Sequence, residues 1–234
     1  MQPSFFQKNS FKIIERLIVE EKFVLEEKNE ILSAYDFSAW KLSPNTVQIQ
    51  INSLSSQEES MREMKEKHAS PFGICITTVD EIQVAAKYAN FLYIPGEFCR
   101  QSDVLESAKM SQLPLVVEKG VFLSPNDIKR LCEKIHGADY ALVECGSSNG
   151  YSDSVLDPRS LSLMKKNSCS FGVSLSDLLA PEGVHYSYRP QWLNNSEFIE
   201  AFISTSKAFN ASFFVTKNHG HGKLSAESIL KMVK

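Results

Sequence analysis

The chain has 234 residues, of which 43% are hydrophobic and 23% are charged. These fractions are those of folded globular proteins, so they exclude a disordered or collagen-like chain. The formal net charge is −3, and no long basic run occurs, so composition gives no reason to expect nucleic acid as a partner. We find no linker-like segment and no internal repeat, and therefore predict a single domain over residues 1–234.

Membrane and secretion signals are not evident in the sequence. No apolar stretch reaches the ~18 residues that a membrane helix needs, so we expect no membrane association. Charged residues interrupt the N-terminal apolar residues, which argues against a signal peptide. The five cysteines include no C-x-x-C pair, which favours reduced thiols over a disulfide framework or a zinc ribbon. We therefore predict a cytoplasmic protein.

Apolar runs of strand length alternate with amphipathic segments along the chain. The runs are rich in Val, Ile, Phe and Tyr and do not alternate strictly with polar residues, which is typical of parallel strands buried on both faces. We predict strands over residues 23–27, 46–51, 72–79, 91–95, 113–119, 140–145, 169–175 and 212–217. We predict helices over residues 56–68, 80–89, 101–110, 124–136, 158–166, 195–209 and 225–233.

This order of elements predicts an α/β fold. Strands each followed by a helix or a helix remnant, in this number, indicate a (β/α)8 TIM barrel. An open doubly wound sheet is the alternative, but no G-x-G-x-x-G or G-x-x-x-x-G-K-[ST] motif follows any strand. Residues 1–22 would cap the bottom of the barrel as a short hairpin or a short helix.

Active sites of such barrels lie at the carboxyl ends of the strands, and this rule selects the candidate residues. Polar residues follow most of the predicted strands, among them Glu144 after the sixth strand and Asp177 after the seventh. The candidates for substrate binding are Glu97, Arg100, Gln101, Glu118, Lys119, Cys145, Ser147 and Lys217.

Four segments contain the most specific motifs in the sequence. Residues 94–103 read I-P-G-E-F-C-R-Q-S-D, and residues 117–125 read V-E-K-G-V-F-L-S-P. They are followed by G-Y-S-D at 150–153 and by D-P-R-S-L-S-L-M-K-K at 157–166. In this order and near these spacings they resemble the motifs P-A-F-L-C-R-Q-T-D, V-K-K-G-Q-F-L-S-P, C-D-R-G-x-x-F-G-Y and V-V-D-M-R-x-L-x-I-M. These motifs are typical of the 3-deoxy-manno-octulosonate-phosphate synthase family, which groups with the 3-deoxy-arabino-heptulosonate-phosphate synthases.

The resemblance is strong over residues 74–166 and fainter but collinear elsewhere. It implies a (β/α)8 barrel, because that is the fold of the family. It also implies the family's activity, which is the condensation of phosphoenolpyruvate with arabinose 5-phosphate. Family members are often tetramers, and some of them use a divalent metal.

Several positions depart from the family pattern, and the changes remove positive charge. Glu118 stands where the first lysine of K-K-G is expected, and Cys145 stands where the arginine of C-D-R-G is expected. Residues 50–56 read Q-I-N-S-L-S-S, without the basic residues that the family carries after its second strand. Phosphoenolpyruvate is a compact, multiply charged anion whose binding requires converging lysines and arginines. The changes therefore predict that this chain binds it poorly.

The metal ligands of the family are not recovered either. The histidine of the family's F-D-x-T-H segment falls near Leu175, and its aspartate near Gly172. The Cys or Asn of the first strand end falls near Asn29 or Glu30, and the E-A-H segment falls near residues 216–218. No complete ligand set is present, so we expect no metal and no other cofactor.

The acidic candidates admit two interpretations. In the first, Glu97, Glu118 and Glu144 gather at one rim of the barrel and bind a cation or an amine. We favour the alternative, in which they are solvated or paired with Lys119 or Arg100.

The remaining candidates also have two interpretations each. Arg100 is either a retained phosphate contact or, as we favour, a structural ion pair with Asp103 or a neighbouring subunit. Cys145 as a nucleophile lacks an evident histidine partner. Residues 147–150 can cradle a small anion with backbone N–H groups, but an ordinary turn is the favoured interpretation. The histidines in residues 219–221 give only a weak metal signal.

We therefore predict a homologue that no longer performs the family's condensation and acts as a binding or regulatory protein. The alternative is an active synthase or aldolase-like enzyme that uses Arg100 and Lys119 on a less anionic substrate. A third hypothesis is the family reaction itself, with cations from a neighbouring subunit or from Lys217. In each case the partner would be a small sugar phosphate or keto acid, and the family resemblance suggests a homo-oligomer.

Overall fold

The structure is a computed structural model of the chain. It describes residues 17–22, 37–41, 58, 62, 65–66, 72–148, 154–167, 170–179 and 195–217.

A curled parallel sheet forms the centre of the fold. Six strands between residues 72 and 217 pair in chain order, each parallel to the next, so the sheet resembles half of a barrel. Two further strands precede them in the chain. The strands are β1 (Leu17–Lys22), β2 (Phe37–Lys41), β3 (Phe72–Cys75), β4 (Phe91–Ile94), β5 (Leu115–Lys119), β6 (Tyr140–Glu144), β7 (Phe171–Ser174) and β8 (Phe213–Lys217).

Helices connect these strands, so the α/β class predicted from the sequence is confirmed. The helices are α1 (Val79–Tyr88), α2 (Ser102–Met110), α3 (Asp127–Lys134), α4 (Pro158–Asn167), α5 (Leu175–Leu179) and α6 (Ser196–Ala208). A single 3-10 turn, Gly96–Phe98, follows β4. Among the described residues, no helix has both the length and the apolar character that crossing a bilayer requires.

The N-terminal elements differ from the prediction. Leu17–Lys22 was expected within a hairpin or helix, but it is a strand that pairs in parallel with both β8 and β2. A hairpin requires antiparallel neighbours, so that interpretation is wrong for these six residues. The apolar and β-branched residues that open this segment favour a strand. The strands expected over 23–27 and 46–51 and the helix expected over 225–233 lie outside the described residues, as do residues 1–16.

In the strands from β3 to β8, alternate described residues face two different cores. The larger core contains residues of the helices and of one sheet face, such as Leu92, Val117 and Leu142. The second core contains Tyr93, Val116 and other strand residues of the opposite parity, and none of its described members belongs to a helix. Since the helices cover only one face, the second core lies on the other, concave face of the sheet.

Two glycines make room for phenylalanine rings on the concave face. A Cβ atom at Gly73 would overlap the ring of Phe91, and one at Gly172 would overlap the ring of Phe213. Both rings are almost fully buried and open the strands β4 and β8. The rings therefore fill the amino-terminal end of the concave face, and the polar candidates lie towards the opposite end.

We predict that Gly172→Ala destabilises the protein by about 1–3 kcal/mol, because the added methyl group overpacks the site of the Phe213 ring. Urea unfolding of the variant measures this loss. Phe213→Leu should relieve the overlap, so the double variant should lose less stability than the two single losses combined. Strict additivity would contradict the proposed contact.

Candidate functional site

Glu118 is the central acidic residue of the concave face. It lies on β5 two residues beyond Val116, so its side chain points to the same face as that buried valine. The Tyr93 hydroxyl donates to its Oε1 at 2.5 Å, and the Gly96 backbone N–H donates to its Oε2 at 2.9 Å. Both carboxylate oxygens are thus held in place by neighbouring groups at the end of β4.

Three potential metal ligands converge around this carboxylate. One ligand atom each from Glu118, Cys145 and Asp177 lies within 4.8 Å of the other two. The residues are 2%, 3% and 7% exposed, so all three are buried. They come from the end of β5, from the residue after β6, and from α5, and we call them the acidic triad. The triad lies at the carboxyl ends of the strands, where parallel α/β proteins place their sites.

The triad concentrates negative charge where water is scarce. Two ionised carboxylates at a separation of 4.8 Å would repel each other by about 3 kcal/mol at an effective dielectric constant of 20. A bound cation or a shared proton offsets such a repulsion. The arrangement is therefore suited to a cation, a proton or a hydrogen-bond donor, and it is unsuited to a multiply charged anion.

Lys119 and Glu144 lie on the opposite face, towards the helices. They are partners in the register of β5 and β6, and the Lys119 ammonium lies 3.2 Å from Oε1 of Glu144, with both side chains fully buried. The ammonium also donates to the backbone oxygen of Gly146 at 2.8 Å and to the hydroxyl of Ser147 at 3.0 Å. A fourth, longer bond of 3.4 Å reaches the backbone oxygen of Leu123. These contacts tie two loops to the sheet, and the candidate role of Lys119 in substrate binding stays a prediction.

Burial raises the pKa of the Glu144 carboxyl from 4.5 to about 7, although the nearby Lys119 ammonium and the Gly146 N–H act in the opposite direction. The Gly146 N–H donates to Oε1 at 2.8 Å. Among the described residues, Oε2 of Glu144 has no hydrogen-bond partner. Loss of hydration therefore outweighs the ion pair in setting this pKa.

The residues after β4 lie apart from the triad. Glu97, Arg100 and Gln101 are all exposed. Within the described segments, Arg100 forms no ion pair with Asp103, and its backbone oxygen accepts from the Lys134 ammonium at 2.9 Å. The three glutamates do not gather at one rim, because Glu97 is exposed and the other two point to opposite faces of the sheet. The favoured interpretation fits better, since Glu97 is solvated and Glu144 is paired with Lys119.

The loop after β6 is an ordinary structural turn in its described part. The N–H of Ser147 donates to the backbone oxygen of Val155 at 2.9 Å, and the N–H of Ser148 donates to that of Val121 at 2.9 Å. These N–H groups are occupied, so they do not cradle an anion. Residues 149–150 and the histidines 219 and 221 lie outside the described residues. Lys217 ends β8, beside Glu20 of β1, and its side chain is not described.

The divalent metal of some family members does not fit its expected ligand positions here. Leu175, where the family's histidine falls, is a fully buried apolar residue. At Gly172, where the aspartate falls, the space for a side chain is filled by the ring of Phe213. We therefore assign no chemistry to a metal at that position.

Sequence reasoning selected Glu118 and Cys145 but did not place Asp177 or Tyr93 in the site. In the sequence, Asp177 is one of several polar residues that follow the seventh strand. Its position on α5, a five-residue helix that starts directly after β7, brings it back over the sheet. The two-residue period of β4 and β5 gives a signal for Tyr93, because it puts Tyr93 and Glu118 on one face.

In α/β proteins, sites for small molecules commonly lie at the carboxyl ends of the parallel strands, where these polar side chains lie. Comparison with curated proteins shows which α/β proteins this chain is similar to. A 2-dehydro-3-deoxyphosphooctonate aldolase of Aromatoleum aromaticum is 34% identical over 116 residues, which cover 47% of this chain and 42% of the relative. The enzyme of the same name from Dechloromonas aromatica is 32% identical over 120 residues, covering 48% and 43%. That of Syntrophotalea carbinolica is 31% identical over 152 residues, covering 62% and 55%.

These relatives belong to the family that the motifs indicate, because 2-dehydro-3-deoxyphosphooctonate aldolase is another name for 3-deoxy-manno-octulosonate-phosphate synthase. Over the matched residues the chain is similar to members of this family, at 31–34% identity. It spans about half the length of the curated relatives that it matches. No family model matches the sequence.

We predict an asymmetric effect of breaking the buried pair of Lys119 and Glu144. Above the pKa of Glu144, at about pH 8, Glu144→Leu should cost about 3–5 kcal/mol of unfolding free energy, because it leaves a buried ammonium without its counter-charge. The double variant Lys119→Met/Glu144→Leu should be more stable than Glu144→Leu alone, because the apolar pair leaves no buried charge. Urea unfolding of the three proteins measures both effects, and a double variant weaker than Glu144→Leu would count against the ion pair.

The raised pKa of Glu144 predicts a pH dependence of stability. In the unfolded chain the carboxyl has its ordinary pKa of 4.5, whereas in the folded protein its pKa is about 7, so the folded state binds more protons between these values. The contribution of Glu144 to the free energy of unfolding should therefore fall as the pH rises from about 4.5 to about 7. Unfolding of the wild type and of Glu144→Gln across this range isolates the effect. The exposed Glu133→Gln variant is the control and should follow the wild type.

Proposed function

We propose that this protein is a homologue of 3-deoxy-manno-octulosonate-phosphate synthase that has lost the family's condensation and now binds a less anionic small molecule, in a binding or regulatory role. The observation that carries this proposal is the environment of Glu118. It is a buried carboxylate, held by Tyr93 and Gly96, at the position where the family motif has a lysine.

The charge around this position supports the proposal. Cys145 stands where the motif has an arginine, and Asp177 adds a second carboxylate within 4.8 Å. Phosphoenolpyruvate would bring further negative charge against these groups, and in a site shielded from water such repulsion is strong. The nearest lysine in the sequence, Lys119, lies on the other face and is engaged with Glu144.

We also propose that the architecture is a complete (β/α)8 barrel, as the resemblance implies. The pairing of β1 with β8 and with β2, and of β2 with β3, supports closure of the sheet into a ring. Helices are described after five of the strands, from β3 to β7. The helices predicted over residues 56–68 and 225–233 would follow β2 and β8, and a helix remnant after β1 would complete the proposed barrel.

An active enzyme on a less anionic substrate is the second candidate. The observation that favours it is the contact between Tyr93 and Glu118 at 2.5 Å, next to the thiol of Cys145. Titratable groups that converge in a shielded site are typical of catalytic centres. In this reading Glu118 would move a proton rather than hold a phosphate.

Calorimetry with phosphoenolpyruvate tests the proposal. We expect no heat of binding at millimolar ligand, whereas the relative from Aromatoleum aromaticum should bind under the same conditions as a positive control. Micromolar affinity of this chain would overturn the proposal and would favour cations supplied by Lys217 or by a neighbouring subunit. Phosphate release with phosphoenolpyruvate and arabinose 5-phosphate tests the family reaction itself, and we expect none above the blank.

A thermal-shift screen of sugar phosphates and keto acids searches for the ligand, because any compound that binds only the folded state raises the apparent stability. A compound that shifts the wild type should lose its effect on Glu118→Gln. The exposed Glu97→Gln variant is the matched control and should retain the shift. Turnover of such a compound would favour the second candidate over a binding role.

A further inference from the structure

We propose that the acidic triad of Glu118, Cys145 and Asp177 is a binding site for a divalent transition-metal ion of the Zn²⁺ type. The site differs from the family's own metal site, whose histidine and aspartate positions are taken by Leu175 and Gly172. The inference does not depend on the proposed function, because it concerns only the ion and these three side chains.

The geometry of the triad is close to that of a metal site. Zinc bonds of about 2.0–2.3 Å in a tetrahedral arrangement place neighbouring ligand atoms about 3.3–3.8 Å apart. In the structure the three ligand atoms lie within 4.8 Å of one another. Contraction by about 1.5 Å or less closes the site, and rotation about side-chain bonds is sufficient for that movement.

The side chains are presented by the rigid part of the fold. Glu118 belongs to β5, and Cys145 directly follows β6, which pairs with β5 along its length. Asp177 lies on α5, which follows β7 without a loop. Ligands from three elements joined by one sheet are fixed relative to each other before any ion binds, and this lowers the cost of binding.

The carboxylate of Glu118 has the outer contacts that orient a metal ligand. The Tyr93 hydroxyl and the Gly96 N–H each donate to one of its oxygens. Metal-binding carboxylates in proteins are commonly held by such hydrogen bonds, which fix their direction and leave further lone pairs for the ion.

The sequence gives a second observation, independent of these distances. Two of the three ligands, Glu118 and Cys145, are the residues that replace the cations of the K-K-G and C-D-R-G motifs. Replacing each cation by any neutral residue would be enough to abolish anion binding. Here the replacements are a carboxylate and a thiol, both of which bind metals, and the fold brings them together with a further carboxylate.

The donor set selects the type of ion. A thiolate favours Zn²⁺, Co²⁺ and related ions, whereas Mg²⁺ and Ca²⁺ prefer oxygen ligands alone. Two carboxylates and a thiolate carry three negative charges, so a divalent cation would leave a net charge of about −1 at the site. Three protein ligands leave one tetrahedral position for water or for an oxygen of a small molecule.

Titration with Co²⁺, after removal of metals by a chelator, tests the site. We expect one Co²⁺ per chain and an absorption band from charge transfer between thiolate and Co²⁺, with Zn²⁺ displacing Co²⁺ and abolishing the band. Cys145→Ser should remove the band, and Asp177→Asn should weaken Co²⁺ binding at least tenfold. Cys132→Ser is the matched control, because Cys132 is another buried free cysteine, and it should keep the band.

Absence of the band in the wild type would overturn the proposal without need of any variant. Persistence of the band in Cys145→Ser would also overturn it, because the thiolate would then belong to another cysteine. Mg²⁺ should not displace Co²⁺ at millimolar concentration, and displacement by it would contradict the role of the thiolate. None of these outcomes depends on whether phosphoenolpyruvate binds, so this proposal and the proposed function can fail separately.

Discussion

The buried ion pair between Lys119 and Glu144 is the contact on which the carboxyl end of the sheet depends. It joins neighbouring residues of β5 and β6 at 3.2 Å, and the same ammonium holds the backbone oxygen of Gly146 and the hydroxyl of Ser147. The two strands therefore end in a fixed register, with their loops drawn towards the helix layer. Because successive side chains of a strand alternate between faces, this register also fixes Glu118 and Cys145 on the concave face.

Neighbouring residues in the sequence thus have separate roles. Glu118 and Lys119 are adjacent, yet one belongs to the acidic triad and the other to the support between sheet and helices. The same holds for Glu144 and Cys145. The order of residues in a family motif does not show which of two adjacent residues faces the site. The strand geometry does, because successive side chains point to opposite faces of the sheet. The retained lysine is accounted for by its structural contacts, and the substituted residues are those that face the site.

Much of the fold could be predicted from the sequence, and the reasons are local. The strands from β3 to β8 are apolar runs bounded by turn residues, and helices such as Ser102–Met110 have a clear apolar face. The spacing of apolar residues and the lengths of these segments were therefore sufficient to predict the elements. The N-terminal strand was missed because its apolar run is short and is followed by Glu20, Glu21 and Lys22, a pattern that also fits a helix or a hairpin.

The site was predicted less completely, because its members are distant in sequence. Position at a strand end identified Glu118 and Cys145 but could not tell which face each would occupy. The side of Lys119 became clear only from its buried contacts with Glu144 and the two loops. Asp177 reaches the triad because α5 follows β7 directly. The direction of such a short helix cannot be predicted from a residue pattern.

The phenylalanine rings on the concave face have a kinetic consequence. Phe91 lies two residues before Tyr93 on β4, about 7 Å closer to the amino end of the strand, and Phe213 fills the matching space beside Gly172. Among the described residues, these buried rings fill the concave face on the amino-terminal side of the triad. An ion or a small molecule that enters from the carboxyl ends of the strands reaches the triad before it reaches the rings, so its rate of exchange depends on the segments at that end of the sheet.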